Sequence, residues 1–208
     1  MRKILILFLV LLIFNGVVAA KENDTVHLRA GRLKYIGDKI EISKEITIIK
    51  GNYTIKAPRG KIYKENNKAV LTDGVFLEAD QGDVKSQEMI GLLDKDKYIF
   101  KNDVKLFNKA DNGERFKLFT SYLEMYGDSN SFQTDQGVRI DYDQKEIKAK
   151  KAKYNDKKQT LVLENNVQIK EENGDWIKGS KAIFYLDSKE NNFVIEENVE
   201  VEMHLTTN

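Results

Sequence analysis

The sequence predicts an all-β protein, a β-solenoid or elongated jelly roll in which two facing sheets enclose one long apolar interior. Three observations carry that prediction. The first is a repeat: a short apolar strand, a polar corner, and a second short strand opening on a branched residue, as in Ala69–Leu77 (AVLTDGVFL). Taking the branched residue as anchor, the equivalents are Ile46, Val75, Val104, Val138, Val167 and Val199, spaced by 29, 29, 34, 29 and 32 residues. A period in this range marks a repeat architecture. The second is register. Ile48, Leu77, Leu106, Ile140, Ile169 and Val201 stand two positions after the anchors. Six and four positions before them stand Ile40/Ile42, Ala69/Leu71, Tyr98/Phe100, Phe132/Thr134, Leu161/Leu163 and Phe193/Ile195. All share one parity, so in extended chain they point to one face. The third is that alternation with period two dominates and no stretch sustains a helical period. One proline, Pro58, leaves the ladders almost uninterrupted. A repeat whose apolar stripe cannot be buried alone must stack on its neighbours.

The chain opens on Met1–Ala20. Arg2 and Lys3 precede an unbroken apolar run, Ile4–Phe14, and Val18-Ala19-Ala20 places small residues before Lys21. That is the pattern of a cleaved secretory signal peptide. The alternative is a retained membrane anchor, because Ile4–Ala20 reaches the minimum of about 17 residues for a spanning segment. No cysteine follows, so a lipoprotein is not expected. Residues 21–208 then form a single domain.

Lys21–Thr25 is a polar leader, and Val26–Ile49 is the first repeat, with Arg29, Arg32 and Lys34 interleaved between its apolar positions. Gly51–Leu77 is the second, with a bend at Pro58-Arg59-Gly60, and Asp80–Leu106 the third. Asn108–Arg115 (NKADNGER) is an insertion that reads as a hairpin or projecting loop around Asp111-Asn112-Gly113. Repeat four runs to Ile140, repeat five over Ile147–Ile169 and repeat six over Trp176–Val201, with Trp176 expected in the core. The residue before each anchor is Glu45, Gly74, Asp103, Gly137, Asn166 or Asn198. Most of these are turn formers, so a corner between two strands is expected there, giving roughly 15–18 short strands. A small residue follows each anchor by about eleven positions (Ala57, Ser86, Thr120, Ala149, Gly179), and Ala30 opens the series. Five or six positions later comes an aromatic (Tyr35, Tyr63, Tyr126, Tyr154, Tyr185), replaced once by the Met89–Leu93 patch. Val70, Ile99, Val162 and Val194 fall on the opposite parity. They are either covered on that side or serve strand propensity.

Removing the leader leaves 188 of the 208 residues, with 32 basic and 33 acidic side chains. Balanced charge argues against nucleic-acid binding, which needs a basic face. Without cysteine, stability must come from burial and ladder hydrogen bonds. No enzyme is expected: His27 and His204 lie at opposite ends, and the pairs Glu171-Glu172 and Glu196-Glu197 fall at solvated turns. Asp141, Asp143 and Glu146 lack the loop and glycine of a calcium site, and neither metal nor cofactor is expected. An outer-membrane barrel is excluded because outward positions carry Lys105, Arg139, Gln168 and Glu200. Two classes survive: a carrier with an apolar track, and a secreted structural β-solenoid or adhesin with a packed interior.

The figure I-K-A-x-x-A-x-Y followed by L-x-x-x-V-x-I, as in Ile147–Ile169 (IKAKKAKYNDKKQTLVLENNVQI), resembles the OstA-type domain of periplasmic lipopolysaccharide-transport proteins, LptA and its relative LptC. The resemblance covers about Val26–Val201, and its motif holds small, aromatic and branched residues, none of them catalytic. It implies an incomplete jelly roll of two antiparallel sheets with an apolar groove for the acyl chains of lipopolysaccharide. Domains joined head to tail by edge strands would carry the lipid from inner to outer membrane. A carrier crossing water needs such a dry track, because each exposed methylene costs about 0.8 kcal/mol. By parity and mid-chain position the expected groove residues are Leu71, Val75, Leu77, Phe100, Val104, Leu106, Leu118, Phe132, Val138 and Ile140. The small residues either leave room for the chains or only let the sheets approach. Partner-pairing edges are expected at Val26, Leu28 and Ala30 and at Val199, Val201 and Met203. The implied partners are lipopolysaccharide or a related glycolipid, homologous jelly-roll domains of inner- and outer-membrane transport components, and further copies of the chain. The implied location is the periplasm, as a soluble bridge after leader cleavage. The alternative is an LptC-type component, anchored and docked on the inner-membrane ABC transporter.

Overall fold

The computed structural model describes residues 26–80, 82–110, 113–186 and 192–204, the side chains of 110–115 excepted; the leader Met1–Ala20 lies outside the described residues. Among the described residues sixteen strands join in one antiparallel sheet. In chain order they are β1 (Val26–Arg29), β2 (Arg32–Ile36), β3 (Lys39–Lys50), β4 (Tyr53–Tyr63), β5 (Lys68–Ala79), β6 (Gly82–Leu92), β7 (Lys97–Ala110) and β8 (Gly113–Tyr126). They continue with β9 (Ser131–Thr134), β10 (Val138–Tyr142), β11 (Lys145–Ala149), β12 (Lys151–Asn155), β13 (Thr160–Glu171), β14 (Trp176–Tyr185), β15 (Phe193–Glu196) and β16 (Glu200–Glu202).

The corner expected before each anchor is a bulge inside a continuous strand at Ile46, Val75, Val104 and Val167, and a break between two strands, as expected, at Val138 and Val199. β3, β5 and β13 run through it for 12 residues and β7 for 14. At Lys44/Glu45, Asp73/Gly74, Asn102/Asp103 and Asn165/Asn166 two successive residues have positive φ. The register there gains one residue: Ser43 pairs Arg59, but Ile46 pairs Ala57. An extra residue on one strand bends it and increases its twist. Asn, Asp and Gly are the residues that enter the left-handed region most readily, which is why the sequence shows turn formers there. At those four anchors the expected pair of short strands is therefore one bent strand. The bend becomes a break only at β1/β2, β9/β10, β11/β12 and β15/β16.

Every bend lies on one line, and the sheet folds along it into two arms. The first arm contains β2, β9, β12, β15 and half-strands such as Lys39–Ser43 and Lys68–Thr72. The second contains β1, β10, β11, β16 and half-strands such as Ile46–Lys50 and Val75–Ala79. Phe116 of the second arm packs on Phe132 of the first, with ring centroids 6.3 Å apart, and Tyr142 meets Phe184 edge-on at 5.9 Å. The arms thus face each other over a shared core, joined at a spine and separated at the opposite side by two rows of hairpin turns. This is the elongated jelly roll that the repeat predicts, incomplete along one side as the resemblance implies.

The small-residue stripe runs along the spine, where Ala57, Ser86, Thr120, Ala149 and Gly179 pair with Ile46, Val75, Val104, Val138 and Val167. There it permits close approach. A Cβ on Gly179 would lie 2.4 Å from Ile195 Cγ2. The Ser86 hydroxyl donates to Glu88 O (2.9 Å) and that of Thr120 to Gly137 O (2.8 Å), tying side chains of the stripe to backbone beside the fold line. The stripe closes the fold line and does not open a cavity.

The aromatics do not share a face. Tyr154 is buried, while Tyr63, Tyr126 and Tyr185 point outward and Tyr35 is exposed on β2. Trp176, expected in the core, also points outward and carries the Lys178 ammonium 4.1 Å above its ring. Val70 aligns with Ile90 and Ile99 on the outer face of the first arm, and Val162 with Ile183 and Val194. Val194 is 45% exposed and the other five keep part of their surface in water, so these branched residues serve strand propensity rather than a second core. The insertion lengthens β7 and β8 into the expected hairpin, with Ala110 opposite Gly113.

Candidate functional site

The interior between the arms is the site that the fold positions. Leu71, Phe100 and Phe132 enter it from the first arm; Val75, Leu77, Val104, Leu106, Leu118, Val138 and Ile140 enter from the second. None of the ten is more than 6% exposed, and all belong to one apolar cluster. That cluster continues beyond mid-chain through Ile147, Tyr154, Leu163, Ile169 and Phe184, so the apolar track runs the length of the sheet. Parity explains the placement: the bulge adds a residue without changing which side the anchor faces.

Opposite the spine the interior reaches a mouth between the two rows of turns. A crevice of about 50 Å³ opens there, lined by Tyr53, Leu77 and Leu106 of the second arm and Tyr98, Met125 and Phe132 of the first. That is room for about two waters. The rim is polar and bridged. Lys50 Nζ, at the end of β3, lies 3.0 Å from Asp96 Oδ1 on the facing turn. The Tyr98 hydroxyl donates to the same oxygen at 2.9 Å. The Tyr53 hydroxyl donates across the mouth to Asn130 Oδ1 at 2.9 Å.

These contacts set the protonation states. Burial pushes the Asp96 carboxyl up, but the Lys50 ammonium, the Tyr98 hydroxyl and Asp128 together hold it below its usual range. Tyr98 is raised far above an ordinary phenol, first by burial and then by Asp96. Tyr53 is raised by burial and by the Asp96, Asp156 and Asp80 carboxylates. The rim therefore presents an ion pair and two neutral phenols.

The two Asp96 and Asn130 turns are alike in construction. Leu93–Lys95 and Gly127–Ser129 are single 3₁₀ turns, each ended by a left-handed residue, Asp96 (φ 42°) or Asn130 (φ 46°). The Gly127 N–H donates to Asp96 O at 2.8 Å and locks one turn to the next. Lys50, Tyr53, Asp96 and Asn130 are functional candidates that the groove prediction missed. The available signal was parity, since Lys50 stands four residues beyond Ile46 and Tyr53 two before Ile55.

A second polar cluster lies outside the interior, on the outer face of the first arm. Glu124 accepts from the Tyr122 (2.6 Å) and Tyr126 (2.7 Å) hydroxyls and the Gln133 amide (2.9 Å), with Lys97 Nζ at 2.9 Å. Burial raises its carboxyl, but these donors outweigh burial and bring it to about 2. No metal-ligating group of three or more such side chains occurs among the described residues.

At the ends of the sheet, among the described residues, β1 and β2 pair only β3, and β15 and β16 pair only β14. Val26 and Leu28 lie in β1, with Ala30 just beyond it. Val199, Val201 and Met203 are 50%, 49% and 67% exposed, in and beside β16. These residues therefore lie at the two ends of the described sheet.

A family model described as lipopolysaccharide-assembly, LptC-related, matches residues 4–172. No curated protein matches the chain. Among solved structures, the chain is similar to LptH, the LptA-homologous periplasmic component of the lipopolysaccharide transport device of Pseudomonas aeruginosa. Identity is 6%, over 88% of this chain and 96% of that one, with a TM-score of 0.27, a superposition too loose to add to what the strand pairing shows.

Proposed function

The chain belongs to the LptC-related lipopolysaccharide-assembly family, and from that premise we propose that its interior carries the acyl chains of lipopolysaccharide. The observation that carries the reading is the unbroken apolar cluster between two arms that are joined along one side only. Acyl chains held there leave water altogether, while the polar rim stays at the level of the headgroup. The exposed edge strands at the two ends pair with homologous domains or with further copies, so that the track continues from the inner towards the outer membrane. The protein acts in the periplasm.

The family match begins at residue 4, inside the apolar run Ile4–Phe14. That favours a component that keeps the run as an inner-membrane anchor and docks on the ABC transporter. The second reading, a soluble bridge with a cleaved leader and a mature domain over residues 21–208, rests on Val18-Ala19-Ala20.

The test is photo-crosslinking of lipopolysaccharide with a photoreactive residue at Phe132, inside, and at Lys105, outside. Crosslinks at Phe132 alone are expected. Folded protein that crosslinks at neither position returns the function to a structural β-solenoid.

A further inference from the structure

The interior has one unattached side, and that side is tied. At 50 Å³ the crevice admits no acyl chain, so loading requires the arms to part at the mouth. Two side-chain bonds span the mouth at that level: Lys50 to Asp96, and Tyr53 to Asn130. All four residues lie on or beside turns, at the ends of the half-strands farthest from the spine.

Both bonds can part without collapse of either arm. Asp96 keeps the Tyr98 hydroxyl on the same oxygen, and the Gly127 N–H holds its backbone. Tyr53 Oη and Asn130 are exposed enough to exchange their bond for water. The Lys50 and Asp96 side chains are 31% and 24% exposed, so water reaches the pair as it separates. The spine contrasts with this. There β3 to β8, β13 and β14 cross the fold line unbroken, and the small residues pair with the opposing anchors. A hinge on one side and a releasable tie on the other define a direction of opening.

Resting on the lipid-carrying reading above, we propose that Lys50–Asp96 and Tyr53–Asn130 form a strap that gates lateral entry of an acylated lipid through the mouth. Lipid does not thread in from the sheet ends alone. The strap sets the rate at which the arms part, and closes behind or around the chains.

The chain has no cysteine, so a single introduced pair is unambiguous. In Lys50→Cys/Asp96→Cys, a reducible bis-methanethiosulfonate linker joins the two turns. Loading of purified lipopolysaccharide is then read by crosslinking from a photoreactive residue at Phe132. Bridging is expected to abolish loading and reductant to restore it in the same sample, which shows that the protein stayed folded. Asp96→Asn/Asn130→Ala, with the strap cut, is expected to load about three- to tenfold faster than the parent, the range for two partly exposed bonds. Bridged protein that loads at the unbridged rate, or a cut strap that leaves the rate unchanged, overturns the gate and leaves the lipid track standing. If the parent chain itself never crosslinks at Phe132, it is the track that fails.

Discussion

Replacement of Phe132 by alanine tests the packing that makes two arms into one interior. The ring comes from the first arm, stacks on Tyr154 at 5.2 Å and packs against Phe116 of the second arm at 6.3 Å; it is buried. Removing it forfeits about 2 kcal/mol of transfer free energy. It also leaves on the order of 100 Å³ of space, which at about 24 cal/mol per Å³ adds roughly 2 kcal/mol if the walls hold. The expected loss is about 4 kcal/mol, against a total stability of about 5–15 kcal/mol for a domain, so the variant should still fold. Urea unfolding reads this as a midpoint lower by about 1.3–2 M at unchanged slope, taking a slope of about 2–3 kcal/mol/M. A double-mutant cycle with Phe116→Ala should show coupling of about 0.5–1.5 kcal/mol, because only a ring from each arm makes that contact. Lys105→Ala, on the outer face, should change stability by less than about 0.5 kcal/mol. A loss under about 1 kcal/mol at Phe132, or no coupling to Phe116, would refute the shared interior.

Three further outcomes are expected. The Glu124 carboxyl lies at about 2 in the folded chain against 4.5 for a free group, so its stabilisation is complete above pH 4.5 and is lost as pH falls towards 2. After allowance for solvent on that outer face it is worth about 1–2 kcal/mol, and Glu124→Gln should flatten the acid limb of stability measured from pH 5 to pH 2. Gly74 has φ 97° with open space around its missing Cβ, so Gly74→Val should cost about 1–3 kcal/mol through backbone strain alone. Gly74→Asn should cost less than half of that, and equal costs for the two in thermal melts would remove the bulge argument. If the edges pair as proposed, Val201→Lys/Met203→Glu, at the exposed β16 edge, should weaken self-association at least about tenfold in sedimentation analysis while leaving the melting temperature unchanged.

Much of this fold was legible because each repeat writes the same inward positions. Ile40, Ile42 and Ile46, or Leu161, Leu163 and Val167, hold one parity, and the core follows from parity alone. Three of the four bulges were visible as Gly74, Asp103 and Asn166 before their anchors, but such residues suit a turn and a two-residue left-handed bulge equally well, and Lys44-Glu45 gives no such mark. Composition could not decide between them; only the cross-strand register shows Ser43 and Ile46 in one strand. Trp176 was misplaced by one residue, and in a strand one residue reverses the face. The small stripe was ambiguous for a similar reason: it lines the inner surface, but at the fold line, where close approach needs it. The strap was hidden because Lys50, Asp96, Tyr53 and Asn130 resemble ordinary turn residues until two distant hairpins are brought face to face.

The most direct measurement of the central claim is the width of the mouth. Spin labels at Asn52 of the second arm and Asp128 of the first, each on an exposed turn, report that distance by pulsed electron resonance in a chain that has no native cysteine. Saturating lipopolysaccharide should move the distribution outward by several ångströms, while a label pair spanning the spine, at Glu45 and Arg59, stays fixed. A mouth that keeps its width with lipid bound would contradict an interior that opens to carry acyl chains.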